Sequence, residues 1–211
     1  MYKRNVLIVD DNDRIANFYI PQYEEIAGRL REESEGYRDY ELVFDSVQSI
    51  NAAKEYLRQG NVVDVLIIDY RFNNSDLYQN GADLVKYVRE NSNKHCRVIF
   101  YTMHEVSDIP NEDMVNLINS QIFRLVDKGR TSEAEFIRTI YEAAVDCDVI
   151  VASMEHFMEE YSELLEQCDY TFMGEQYKIS DIITHIRMDD QVGRSIVDKL
   201  LYKALIDSVE Y

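Results

Sequence analysis

The first two-thirds of the chain alternate between short apolar runs and amphipathic stretches. The runs are VLIV (6–9), ELVFDSV (41–47), VDVLIID (63–69), RVIFYT (97–102) and QIFRLVD (121–127). They are rich in Val, Ile and Phe and no longer than a buried strand. Between them apolar residues fall at helical spacing, as in 15–30, 50–57 and around Leu84, Val85 and Val88. Strand then helix, repeated, predicts an α/β fold with a parallel sheet covered by helices on both faces. Strands are expected near 5–9, 41–46, 64–69, 97–102 and 122–126. The stretch 13–37 is overlong for one helix, and Pro21 is expected to kink or split it, because proline lacks an N–H and crowds the preceding turn.

After Thr131 the pattern becomes helical, with no convincing strand. Apolar or small residues recur at Ile137, Tyr141, Ala144, Val151, Met154, Met158, Tyr161, Leu165 and Cys168, with heptad-like steps from Val151 onward and Asp148 as an interruption. This seam fits ordinary helices packed on a core, and equally a dimerising coiled segment. A turn is expected around 169–177, at Gly174, and two further helices over 180–187 and 190–209, with Ser180 and Asp190 as caps. The chain therefore divides into an α/β domain, residues 1–147, and a helical module, residues 148–211.

Charge narrows the function. Asp and Glu number 40 against 22 Lys and Arg, a net charge of −18. That balance opposes non-specific binding to nucleic acid or an anionic membrane. The three cysteines, Cys96, Cys147 and Cys168, are not spaced as metal pairs and read as reduced thiols of a cytoplasmic protein. No run approaches the length of a membrane span.

The chemistry concentrates where apolar runs end. Asp10 and Asp11 follow the first, Asp69 follows the third, Thr102 the fourth and Lys128 the fifth. In a doubly wound sheet these positions share the edge where ligands bind. Carboxylates brought together raise one another's pKa unless a cation offsets them, and Mg²⁺ is the natural hard ion for oxygen ligands. Lys128 adds a point charge for a phosphoryl oxygen and Thr102 a hydroxyl donor. The set amounts to a carboxylate nucleophile with groups to receive a transferred phosphoryl group.

An acidic pair, an aspartate, a threonine and a lysine, each at a strand end and in this order, resemble the receiver domain of two-component response regulators. The segment NGADLVKYVR (80–89) also looks like that family's third helix. The resemblance covers roughly residues 3–147. It implies a flavodoxin-like five-stranded sheet of order 2-1-3-4-5, followed here by an all-α region. It implies that Asp69 accepts a phosphoryl group from a sensor histidine kinase or phosphotransfer protein, and that Asp10, Asp11, Asp69 and the backbone carbonyl of Arg71 hold Mg²⁺. Thr102 and Lys128 would contact the phosphoryl group. Such a protein is no enzyme in the ordinary sense, since it turns over only its own acyl phosphate. The fifth helix, running on toward Val151, would convey the change to the C-terminal module.

Three positions depart from the family's pattern. Gly129 stands where proline usually follows the lysine. Leu125 replaces the usual aromatic three positions before the lysine, so no hydroxyl can swing there. Met103 follows Thr102 where a small residue is common. A degenerate receiver used as a scaffold is therefore an alternative. His104 reads as a solvated loop residue. Asp11 and Asp13 have the DxD spacing of haloacid-dehalogenase-type phosphatases, but that reading leaves Asp69 unexplained.

The C-terminal residues could form a helix–turn–helix for DNA. However, residues 151–211 carry thirteen Asp and Glu against five Lys and Arg, and a DNA reader normally shows a basic face. The expected output is a protein effector bound by the helices, or a homodimer, with Tyr161, Tyr170, Phe172, Tyr177 and Tyr202 as aromatic anchors or core.

Overall fold

Val6 and Ile8 point to one face of a sheet, Leu7 and Val9 to the other, and all four are buried. A strand alternates its side chains, so burial on both faces requires a layer on each side. The structure, a computed structural model, describes residues 1–72, 80–91, 96–103, 107, 109–146, 149–165 and 169–209. The chain divides into two units, one of Met1–Ser92 and Cys96–Cys147, the other chiefly of Asp148–Tyr211.

The first unit holds β1 (Tyr2–Val9), β2 (Tyr40–Val47), β3 (Val65–Ile68), β4 (Arg97–Thr102) and β5 (Arg124–Asp127), all parallel, in the order β2-β1-β3-β4-β5. Helices α1 (Ile20–Glu33) and α5 (Glu133–Val145) cover one face, through Ile26, Phe136, Ile137 and Ile140. Helices α2 (Ile50–Arg58), α3 (Gly81–Asn91) and α4 (Asn111–Asn119) cover the other, through Ile50, Leu84, Val85 and Leu117. Every expected strand is present within a few residues of its place.

Pro21 falls where the overlong first stretch changes register rather than breaks: a π-helical turn, Ile15–Tyr19, runs directly into α1 with the backbone helical throughout, and the proline lies in the first turn of α1. The fifth helix does not run on toward Val151. It ends at Val145, and Asp146 caps it. Arg97 fixes that end by donating from Nε to the Asp146 carbonyl at 2.7 Å and pairing with its carboxylate at 3.1 Å.

The second unit contains α6 (Val149–Glu160), α7 (Ser162–Leu165), α8 (Ile179–Arg187) and α9 (Gln191–Val209). Its described residues are mainly helical, with a short hairpin of β6 (Tyr170–Phe172) and β7 (Glu175–Tyr177) where the sequence predicts only a turn. Gly174, at φ 89°, and Met173, at φ 52°, make its tip. Three residues a side are too few to show a period. Val151, Met154 and Met158 of the heptad-like seam pack into this unit's own core with Phe172, Ile182, Ile183, Ile186 and Ile196. Tyr177 packs there too, whereas Tyr161 and Tyr202 are exposed. Asp190 caps α9 as expected, accepting from the Gly193 N–H at 2.8 Å. Ser180 is not the cap of α8. Lys178 holds that position, and Asp181 reaches back to its N–H at 3.2 Å.

Cys96 is buried, while Cys147, Cys168, His95 and His104 lie outside the described residues. Among the described residues no helix is long and apolar enough to cross a membrane.

Candidate functional site

The register of the central strands decides what meets at the sheet edge. Val9 lies beside Ile68 in the β1–β3 pair, so Asp10 and Asp69, the next residue on each, leave the sheet at the same level. The ladder continues one step past both strands, with the Asp69 N–H donating to Val9 O at 3.0 Å and the Asp10 N–H to Val47 O at 3.1 Å. On the far side, the Lys128 N–H donates to Thr102 O at 2.9 Å. The Lys128 ammonium lies over the Tyr101 ring, 5.0 Å from its centroid, and that ring stacks on Phe136 of α5 at 4.0 Å.

There Lys128 bridges both carboxylates. Its Nζ is 2.6 Å from Asp10 Oδ2 and 2.9 Å from Asp69 Oδ2. The other carboxylate oxygens are held by backbone. Asn12 N–H donates to Asp10 Oδ1 at 2.9 Å, and Tyr70 N–H donates to Asp69 Oδ1 at 2.7 Å. The three side chains are only 7% to 15% exposed, so their charges act with little screening. Burial pushes the Asp69 carboxyl above its ordinary range, and Asp10 adds to this. Lys128 and the Tyr70 N–H oppose it without cancelling it. For Lys128, burial pulls the ammonium down, yet Asp69 and Asp10 together leave it above its ordinary value.

The pair opens into a cleft of about 430 Å³, within the size range of small-molecule sites. Asp10, Asp11, Asp69 and Lys128 line it, together with the rings of Tyr19, Tyr23, Tyr101 and Phe136. Asp11 therefore shares the cleft. Thr102 closes β4 with its side chain buried, tied to Lys128 through the backbone. Arg71 is exposed, two residues past Asp69.

Asp10, Asp11 and Asp69 supply the hard oxygen donors that suit Mg²⁺. They are not gathered round a single point. Among the described residues no three acidic, thiol or imidazole side chains are grouped to hold a metal, and Asp10 and Asp69 converge on Lys128 instead.

Sequence reasoning missed the aromatic half of this cleft and the support beneath Asp69. Tyr19 and Tyr23 enter from the π-helical turn and α1, whose geometry the pattern did not reveal. Tyr70 follows Asp69, and its ring is buried. Its hydroxyl donates to Asp113 Oδ2 at 2.8 Å, and Asn80 Nδ2 donates to the same oxygen at 2.9 Å. The signal for Asn80 was present in NGADL: a side-chain acceptor just before a helix start. Its Oδ1 accepts from the Ala82 N–H at 2.9 Å.

No family model matches the chain, and no curated protein matches it. Solved structures do. A response regulator receiver protein from Pseudomonas putida is 16% identical, covering 67% of this chain and 98% of its own, with a TM-score of 0.50. A response regulator receiver domain protein from Methanospirillum hungatei is 14% identical over 67% of this chain and 93% of its own, with a TM-score of 0.47. A LuxR-family two-component response regulator from Aurantimonas is 18% identical over 76% of this chain and 99% of its own, also with a TM-score of 0.47. With the strand order and the edge just described, the first unit has the fold of response regulator receiver domains.

Proposed function

We propose that this protein is a response regulator in which Asp69 accepts a phosphoryl group from a sensor histidine kinase or phosphotransfer protein. The observation that carries the reading is Lys128 bridging Asp10 and Asp69 at the C-terminal edge of the sheet. Asp69 Oδ2 faces the cleft's cation while Oδ1 is tied to the backbone, which leaves Oδ2 as the nucleophile. Lys128 then turns from the carboxylate to the incoming phosphoryl oxygens. Asp10, Asp11, Asp69 and the Arg71 carbonyl would hold Mg²⁺ as the cofactor. It would neutralise the carboxylates and the transferred group. Thr102 supplies a hydroxyl from the end of β4.

The protein turns over only its own acyl phosphate, and the state passes to the C-terminal unit, which binds a protein effector or a second copy. The acidic balance of residues 151–211 supports a protein partner over DNA. The test is incubation with Mg²⁺ and acetyl phosphate, followed by intact mass. Wild type should gain one phosphoryl group and Asp69→Asn none. A wild type that stays unlabelled leaves a receiver fold used as a scaffold.

A further inference from the structure

A receiver that signals must carry a change at Asp69 to a distant surface. The resemblance would assign this to an aromatic on β5, but Leu125 is there, half-buried against the core layer under α3 and α4. A hydroxyl-bearing ring sits instead beside the acceptor itself, at Tyr70. We propose that Tyr70 and Asp113 form the connector through which the state of Asp69 reaches α4. This rests on the reading of Asp69 as phosphoacceptor.

The connection is continuous. Asp69 Oδ1 accepts from the Tyr70 N–H at 2.7 Å. The Tyr70 ring is 4% exposed and packs against Phe100 of β4 at 5.9 Å, so it cannot turn independently of the backbone that carries it. Its hydroxyl donates at 2.8 Å to Asp113, in the first turn of α4. Burial and the Asp113 carboxylate push that hydroxyl up to about 12, so it remains a donor across the working pH range. Asn80 shares the Asp113 oxygen and caps α3, while the Gly81 N–H donates to the Tyr70 carbonyl at 2.9 Å. One side chain, Asp113, thus ties together the residue after the acceptor, the start of α3 and the start of α4.

Phosphoryl transfer changes the first link. Asp69 Oδ2 attacks phosphorus and a P–O bond forms. The bond from phosphorus to the donor atom breaks, and its electron pair leaves with the donor. The carboxylate becomes an acyl phosphate, and Oδ1 becomes a neutral carbonyl. The Tyr70 N–H thereby exchanges a charge-assisted hydrogen bond for a neutral one about half as strong. Tyr70 is freed to shift, and the ring passes that shift to Asp113. Neither Tyr70 nor Asp113 reacts, so both are positioning residues.

The test uses the full chain with Mg²⁺ and beryllofluoride, a phosphoryl mimic, and reads hydrogen exchange in α4. In wild type the mimic should change α4 exchange by about fivefold, the population shift that one hydrogen bond carries. In Tyr70→Phe and Asp113→Ala, each of which removes one partner of the hydrogen bond, that response should vanish, and the double variant should lose no more than either single one. Labelling of Asp69 by acetyl phosphate should stay within about twofold of wild type in all three, because about twofold is far less than the loss of a reacting group produces. A purely structural role would lower melting temperature yet leave the α4 response intact, which overturns the inference. An α4 response equal to wild type in Asp113→Ala overturns it even if Tyr70→Phe fails to fold. A wild type that neither acetyl phosphate nor the mimic modifies overturns the acceptor reading, and this inference with it.

Discussion

Gly81 stands directly against the backbone of Asp69. A Cβ at Gly81 would lie 2.2 Å from the Asp69 carbonyl oxygen, 2.9 Å from Ile68 Cγ2 and 3.0 Å from Phe100 Cε2. The start of α3 approaches the end of β3 so closely that only hydrogen fits, and the contact is to backbone, which cannot turn aside. Gly81→Ala must push the helix off the strand end. The expected cost is about 1–3 kcal/mol, as for overpacking elsewhere in cores. A urea titration reads it as a lowered midpoint. Labelling of Asp69 should fall in the same variant, because the clash falls on the backbone that carries the carboxylate. A midpoint equal to that of wild type would mean that α3 has room to move.

The buried carboxylate sets a pH dependence of defined sign. The folded-state pKa of Asp69 is raised, so the folded state favours its protonated form. Its stabilising contribution is complete below the ordinary value of 3.8 and is lost as pH rises through the folded value. At neutral pH the ionised group costs stability. Asp69→Asn should therefore melt above wild type at pH 7, and the difference should shrink as pH is lowered toward about 4, where a carboxyl becomes neutral like the amide. Lys128 acts at the other end. Its folded value is also raised, so its contribution is held below 10.5 and lost only as pH climbs through the folded value. Melting curves across pH for the two proteins check both signs.

In the C-terminal unit, Asp190 does two things at once. Oδ1 accepts the Gly193 N–H at 2.8 Å, and Oδ2 lies 2.6 Å from His185 Nδ1. It both starts α9 and ties it to the end of α8. The close approach is confirmed by Gly193, where a Cβ would stand 2.2 Å from His185 O. Asp190→Ala should cost about 1–2 kcal/mol through the lost cap. Hydrogen exchange in the first turn of α9 should rise, while the strands of the first unit stay as protected as before. Unchanged exchange there would mean that the cap is dispensable.

The fold was legible because each central strand is buried on both faces, so Val65 to Ile68 and the runs like it show as unbroken apolar stretches. The acidic edge was legible for the same reason: a charge ending such a run has to leave the sheet at its rim. What stayed hidden has physical causes. The β6–β7 hairpin is too short to show alternation. Asp146 ends α5 through a bond from Arg97, a residue distant in sequence, so no local stop signal exists for it. Tyr70, Asn80 and Asp113 come together only through the packing of α3 and α4 on the sheet, and no spacing in the chain predicts that.

The last prediction concerns what holds Asp10 and Asp69 side by side. Lys128 is the cation between them at 2.6 and 2.9 Å, in a site where each side chain is at most 15% exposed. Lys128→Met keeps the stem over the Tyr101 ring but removes the charge, leaving two carboxylates facing one another. Removing one partner of a buried pair costs about 3–5 kcal/mol, because the partner left behind keeps its desolvation penalty without its attraction. A divalent ion can replace that attraction. Millimolar Mg²⁺ should therefore raise the melting temperature of Lys128→Met more than that of wild type, where the ion must first displace the ammonium. Asp11→Asn in the same background should blunt the rise, since Asp11 adds the third carboxylate of the cleft. Thermal melts with and without Mg²⁺ decide the matter. If the ion shifts neither protein, these carboxylates do not hold a metal, and Lys128 alone balances them.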